Sequence, residues 1–160
     1  MEIRLARPAD LPELLAIYET ARRFMADHGN PTQWPAGYIR SDMLLADMEK
    51  QQLYVCADDD GLQGVFLFAP GPDPTYAEIR AGSWPSDAAY WVIHRVASAG
   101  RVKGLLACIL DWAGAKAPVL RMDTHADNHP MQHLLTKLGF VRCGLITVED
   151  GTERIAYQKG

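Results

Sequence analysis

Between Glu2 and Arg7 apolar and charged residues alternate, with Ile3 and Leu5 on one face, which predicts a first strand. The period then changes. Leu11, Leu14, Leu15, Tyr18, Ala21 and Met25 recur at helical spacing behind Asp10-Leu11-Pro12-Glu13, which has the spacing of a capping box. Gly29, Asn30 and Pro31 close that helix, and a second is predicted from Tyr38 to Lys50 with Leu44, Leu45 and Met48 inward. Leu53–Ala57 and Gly64–Ala69 read as a hairpin across Asp58-Asp59-Asp60-Gly61. The stretch from Pro70 to Asp87 is irregular, with a short edge strand expected over Thr75–Arg80. It reads equally as a substrate wall or as a surface excursion.

From Tyr90 the pattern becomes strand, cationic loop, helix, strand, helix. An apolar run, Tyr90–Ala97, leads into Gly100-Arg101-Val102-Lys103-Gly104, which opens directly onto Leu105-Leu106-Ala107-Cys108-Ile109-Leu110. Val119–Thr124 is the next strand, and the helical pattern after Asn128 ends at Leu138-Gly139-Phe140. Cys143–Val148 and Thr152–Tyr157 form a last hairpin across Glu149-Asp150-Gly151. The segment at 101–107 carries the chemistry. A helix start leaves N–H groups without intrahelical partners and carries partial positive charge. Arg101 and Lys103 add two cations, and Gly104 lets backbone approach a ligand closely. This is a place to hold an anionic cofactor, although a plain strand-to-helix turn would look the same. The loop lacks both the Walker A spacing and G-x-G-x-x-G, which removes most of the support for nucleotide hydrolysis and NAD binding.

The chain has 160 residues and 48% hydrophobic content, enough for one domain with a real core, residues 1–160. No apolar run approaches the ~20 residues that span a bilayer. Met1-Glu2-Ile3-Arg4 lacks a signal-peptide pattern, so the mature chain is expected to begin near Met1. Cys56, Cys108 and Cys143 are odd in number and widely spaced, which fits buried thiols in a reducing, cytoplasmic compartment. A net charge of −4 argues against a nucleic-acid partner and is compatible with a cationic amine substrate. His125, Asp127, His129 and His133 invite a metal reading, but Pro130 marks a helix boundary within the cluster and His-Glu-x-x-His is absent, so no metal is expected.

The element order β-α-α-β-β-β-α-β-α-β-β, with Arg101-x-x-Gly104-x-Leu106, Asn128 and Lys137-Leu138-Gly139-Phe140, resembles the GNAT superfamily of N-acetyltransferases. Arg101 and Gly104 match the family loop Arg/Gln-x-x-Gly-x-Gly/Ala, and Leu106 departs from it. The resemblance implies an α/β (α+β) fold with a mixed, centrally splayed sheet flanked by helices. It implies binding of acetyl-CoA, or a longer acyl-CoA, with the pyrophosphate on backbone N–H groups of Val102, Lys103, Gly104, Leu105, Leu106 and Ala107. The pantetheine arm would pair like an added strand with the backbone of His94, Arg95 and Val96. Asn128 matches a cofactor-contacting asparagine, and it also reads as a helix N-cap ahead of Pro130. The implied reaction is acetyl transfer to a primary amine of a small molecule or peptide by direct attack. The alternative is a non-catalytic acyl-CoA-binding or sensing module. A homodimer is compatible with either.

An alkyl ammonium, with a pKa near ~10.4, must lose a proton before it attacks. In the second strand of the unit, Leu120, Met122 and Thr124 share one face and Arg121, Asp123 and His125 the other. Asp123 lies five residues before Asn128, where some family members place a glutamate base; it reads also as a structural partner of neighbours such as Arg121. His94, on a face with Tyr90, Val92 and Val96, is the second candidate for proton relay, or a satisfied core histidine. Many family members carry a tyrosine acid where this chain has Leu135, with Tyr157 the available substitute. Substrate contacts are expected from residues 22–40 and 70–87, where Trp34, Tyr38 and Trp84 serve either recognition or the core.

Overall fold

A computed structural model describes the chain from Met1 to Gly160. Its elements are β1 (Glu2–Leu5), α1 (Leu11–Asp27), α2 (Ser41–Glu49), β2 (Leu53–Asp58), β3 (Gly61–Pro70) and β4 (Trp91–Ser98), followed by α3 (Leu105–Gly114), β5 (Leu120–Thr124), α4 (His129–Lys137), β6 (Val141–Thr147) and β7 (Glu153–Lys159). The element order is the expected one. Seven strands form one mixed sheet in the order β1-β2-β3-β4-β5-β7-β6, flanked by the four helices. The parallel β4–β5 ladder holds only two residue pairs, Trp91 with Leu120 and Val92 with Arg121. β4 runs on to Ser98 and β5 to Thr124 beyond it. None of the helices is long and apolar enough to cross a membrane.

Two compact units divide the chain, residues 1–68 with 94–112 and residues 69–93 with 113–160. In the first, the two-residue period of β2 and β3 sorts side chains onto two faces. Leu53, Val55 and Val65 are fully buried with Leu14, Ile17 and Leu44 of α1 and α2. Tyr54, Phe66 and Phe68 alternate with them and meet the indole of Trp112 from α3 at centroid distances of 4.7, 5.5 and 5.2 Å. In the second unit β5 pairs antiparallel with β7 along its whole length, from Leu120–Lys159 to Thr124–Ile155. Leu120, Met122 and Thr124 are buried there, together with Leu135, Ile146 and Tyr157. Cys56 and Cys143 are buried, Cys108 is half-buried, and none forms a disulfide. Burial pushes the Cys56 thiol up to about 12, which keeps it protonated and inert.

Three local expectations are corrected. The second helix begins at Ser41 rather than Tyr38, because Gly37 at φ 78° and a bond from the Tyr38 N–H to the Pro35 carbonyl make a turn first. Leu45 on that helix is 41% exposed, so only Leu44 is fully inward. No edge strand covers Thr75–Arg80. The Asp73 carboxylate accepts from the Thr75 N–H at 3.0 Å and sets a 3-10 turn over Pro74–Tyr76, leaving an isolated bridge between Arg80 and Leu145.

The segment at Asp10 also differs from a capping box. Asp10 has helical backbone angles and its side chain does not cap α1. Its carboxylate instead accepts from the Arg4 guanidinium at 2.8 and 3.1 Å and from the Arg7 N–H at 2.8 Å. The Glu13 carboxylate accepts from the Leu62 N–H at 2.9 Å, tying α1 to the β2–β3 hairpin. The bond to Arg4 first, aided by the Arg7 N–H, holds the Asp10 carboxyl below its ordinary value of 3.8. A depressed carboxyl contributes stability that is present above the unfolded pKa and lost as pH falls through the folded one. Asp10→Asn is therefore expected to destabilise the protein by about 1 kcal/mol at pH 7. In urea titrations the gap to wild type should close as pH drops below 3.8.

Candidate active site

The start of α3 is built by packing beneath it. Leu105 and Leu106 are buried. A Cβ on Gly64 of β3 would meet Leu105 Cδ2 at 2.6 Å and the Ala97 carbonyl at 3.2 Å, so only glycine there lets the helix start sit this close to the strand. The Cys108 N–H bonds the Gly104 carbonyl at 3.1 Å, the first intrahelical bond. By helix geometry the N–H groups of Leu105, Leu106 and Ala107 then point out of the end of α3 without helical partners. Gly104 has φ 73°, and a Cβ there would have nothing within 4 Å, so the loop is open on that side. Leu106, which departs from the loop pattern the chain resembles, is buried.

Arg101 lies against β3. Its guanidinium donates to the Leu62 carbonyl at 2.7 Å and to Gln63 Oε1 at 3.2 Å. It thereby braces the loop that carries Val102, Lys103 and Gly104. Upstream, His94, Arg95 and Val96 lie on β4, all half-buried. Arg95 has φ 50°, inside a strand. A residue with a Cβ held in that region costs roughly 1–3 kcal/mol.

Asp123 on β5 accepts a hydrogen bond from the Tyr76 hydroxyl at 2.7 Å. Tyr76 is buried, and burial first, then the Asp123 charge, pushes its phenol well above 10, so it stays a donor. The sequence reading missed Tyr76, which it assigned to an edge strand. Only the Asp73-Pro74 turn signal hinted otherwise. Asp123 is half-buried and, by strand alternation, lies on the face opposite the buried Leu120 and Met122. Arg121 shares that face and is nonetheless 4% exposed. Its guanidinium lies between the rings of Trp84 and Tyr90, 3.9 and 4.0 Å from their centroids. Nε donates to Gln158 at 2.9 Å, and Nη2 to the Ser86 carbonyl at 3.0 Å. Burial lowers its pKa from the ordinary guanidinium value. The Trp84 indole N–H reaches the Tyr76 carbonyl at 2.9 Å. Trp84 is therefore part of a structural clamp.

The other candidates are placed as follows. Asn128 is buried and caps α4, its Oδ1 accepting from the Met131 N–H at 3.2 Å. Leu135 is fully buried, so the position of the family tyrosine is core here. Tyr157 is buried in β7, which raises its pKa. His125 Nδ1 accepts from the Asp127 N–H at 3.0 Å. Trp34 is buried edge-on to Tyr18, 5.6 Å between centroids, whereas Tyr38 is exposed. These three aromatics, with Glu19 and Arg22, line a cavity of about 50 Å³.

Comparison with known proteins places the chain among acetyltransferases. Residues 1–141 match the model of the acetyltransferase (GNAT) domain. A GNAT-family acetyltransferase of Streptococcus agalactiae superposes with a TM-score of 0.90 at 32% identity, covering 99% of this chain and 94% of that one. An acetyltransferase-like protein of Staphylococcus aureus Mu50 gives a TM-score of 0.70 at 27% identity, over 100% of this chain and 99% of that one. A GNAT-family acetyltransferase of Listeria monocytogenes gives 0.70 at 17% identity, over 99% and 93% of the two chains. No curated protein matches the chain in sequence.

The Arg121 clamp generates a stability prediction. Lysine keeps the charge but not the planar fork or the stacking on two rings. Arg121→Lys is expected to cost about 2 kcal/mol, the scale of a desolvated cation–π contact. That corresponds to a fall in melting temperature of about 4–8 °C in a thermal scan.

Proposed function

Since the chain belongs to the GNAT family of acetyltransferases, we propose that it transfers an acetyl group from acetyl-CoA to a primary amine of a small molecule or peptide, residues 1–160 acting as one acyltransferase domain. The observation that carries this reading is the start of α3, where three N–H groups follow a left-handed, sterically open Gly104. The residues fit a pyrophosphate. The N–H groups from Val102 to Ala107 would hold it, with Lys103 adding charge and Arg101 bracing the loop from β3. The backbone of His94, Arg95 and Val96 would take the pantetheine arm, and Asn128 a further polar contact. The odd cysteine count fits a cytoplasmic enzyme.

Acetyl-CoA supplies an activated acyl carbonyl; a C–N bond to the amine forms as the C–S bond breaks. The chain's residues manage the proton. Asp123 takes it from the ammonium, directly or through water, and the buried Tyr76 hydroxyl holds the carboxylate in one orientation. His94 is a second proton acceptor. The departing CoA thiol, with a pKa near ~8.5, leaves as thiolate without a dedicated acid. The burial of Leu135 favours the second reading, a non-catalytic acyl-CoA-binding module, because it removes the family's acid from the site.

Thiol release from acetyl-CoA, measured with a panel of small amines, polyamines and peptides, separates the two readings. Turnover on any acceptor is the expected result; tight binding with no turnover across the panel would establish the binding module. Asp123→Asn is expected to lower kcat about 10²–10⁴-fold, the range for loss of a general base. His94→Ala should give a smaller loss, and unchanged rates and pH profiles in both variants would remove both residues from the mechanism.

The loop is tested by a pair of substitutions. Gly104→Ala and Gly104→Glu both place a side chain at φ 73° and share a backbone cost of roughly 1–2 kcal/mol. Only the glutamate adds negative charge where phosphate would lie. In calorimetry Gly104→Glu should abolish acetyl-CoA binding, while Gly104→Ala retains most of it.

A further inference from the structure

Arg95 is the one residue of β4 in the left-handed region, at φ 50°. A strained backbone of this kind persists only where its surroundings over-determine it. Two side chains from α1 and α2 do so. The Tyr18 hydroxyl donates to the Arg95 carbonyl at 2.9 Å. Asp47 forms an ion pair with the Arg95 guanidinium, whose Nε is buried without a hydrogen-bond partner. Tyr18 is 2% exposed and wedged edge-on against Trp34, so its hydroxyl has little freedom to leave. Asp47 and Arg95 have side chains only 13% and 18% exposed. A left-handed residue interrupts the regular alternation of N–H and C=O along a strand and re-aims the groups beside it.

We infer that Tyr18 and Asp47 are positioning residues for the acyl donor: they hold Arg95 in its turned conformation, and that conformation presents the backbone from His94 to Val96 to the acyl arm. The inference rests on the proposed role of this β4 segment in holding pantetheine. It adds a division of labour within one ligand. The phosphates are held at the start of α3, and the thioester end depends on two side chains that do not touch it. Tyr18 also lines the small cavity beside Trp34 and Tyr38. The same residue thus lines that cavity and bonds the carbonyl of Arg95.

The experiment uses the full chain and two probes, acetyl-CoA and adenosine 3′,5′-bisphosphate, which lacks the pantetheine arm. Calorimetry gives Kd for wild type, Tyr18→Phe, Asp47→Asn, Arg95→Gly and the double variant Tyr18→Phe/Arg95→Gly. Tyr18→Phe and Asp47→Asn are expected to weaken acetyl-CoA binding about five- to tenfold, the effect of one lost hydrogen bond or ion pair, and to leave the bisphosphate unchanged. Glycine adopts the turn without strain. In the Arg95→Gly background, Tyr18→Phe should therefore weaken acetyl-CoA by less than it does in wild type. Unchanged acetyl-CoA affinity in both single variants would overturn the inference. So would equal losses for both probes, the mark of general destabilisation, or an equal effect of Tyr18→Phe in the two backgrounds. Failure of wild type to bind acetyl-CoA at all would instead overturn the acyl-donor reading on which the inference stands.

Discussion

A guanidinium buried to 4% exposure has to be satisfied on every side, and Arg121 is. Two aromatic faces cover its plane, and a glutamine and a backbone carbonyl take its donors. Three of those four partners, Trp84, Ser86 and Tyr90, come from the irregular stretch before β4. The clamp therefore orders a segment that has almost no ladder bonds of its own. From it the order passes on. The Trp84 indole fixes the Tyr76 carbonyl, and the Tyr90 hydroxyl accepts from the Asp73 N–H at 2.8 Å. The Tyr90 ring also lies where a Cβ on Gly71 would come within 2.6 Å of it. Tyr76 is thereby delivered to Asp123. The order of a long loop and the geometry of the candidate base trace back to one cation.

Periodicity made most of the fold legible. The helical spacing of Leu14, Ile17 and Tyr18, and the alternation of Leu53 and Val55 with Tyr54, are local signals, and each sets a buried face. What periodicity cannot carry is a partner from far along the chain. Tyr76 and Asp123 are 47 residues apart, and Tyr18 and Arg95 are 77. Alternation put Arg121 on the polar face of β5, and that assignment is geometrically right. The residue is buried because two aromatics from a loop close over that face. The strand expected at Thr75–Arg80 gave way to a turn for a local reason, the Asp73 carboxylate competing for the Thr75 N–H.

The residues proposed for the acyl donor and those proposed for the proton use different materials. The proposed acyl-donor contacts are mostly backbone: N–H groups at the start of α3 and the turned segment around Arg95. Beside the charge proposed for Lys103 and the polar contact proposed for Asn128, side chains enter there as supports, Leu105 on Gly64 and Tyr18 on the Arg95 carbonyl. Backbone sites tolerate changes of residue type as long as the packing that aims them is kept. Leu106 in place of a small residue is such a change, since its side chain is buried and the amide remains at the helix end. The proposed proton acceptors, Asp123 and His94, are side chains, and there a changed residue would change the chemistry.

That contrast bears on the missing acid. Leu135 is fully buried, and no hydroxyl occupies its place. In the proposed reaction the ammonium, near ~10.4, holds its proton more tightly than the leaving thiol, near ~8.5, demands one. Deprotonation of the acceptor is then the step that needs protein assistance, and protonation of the leaving group the step that can do without it. The position of the acid has been given over to the core, whereas Asp123 is gripped by a buried phenol kept protonated by its surroundings. By fixing the carboxylate in one orientation, the Tyr76 hydroxyl would set the direction from which Asp123 takes the proton in the proposed reaction.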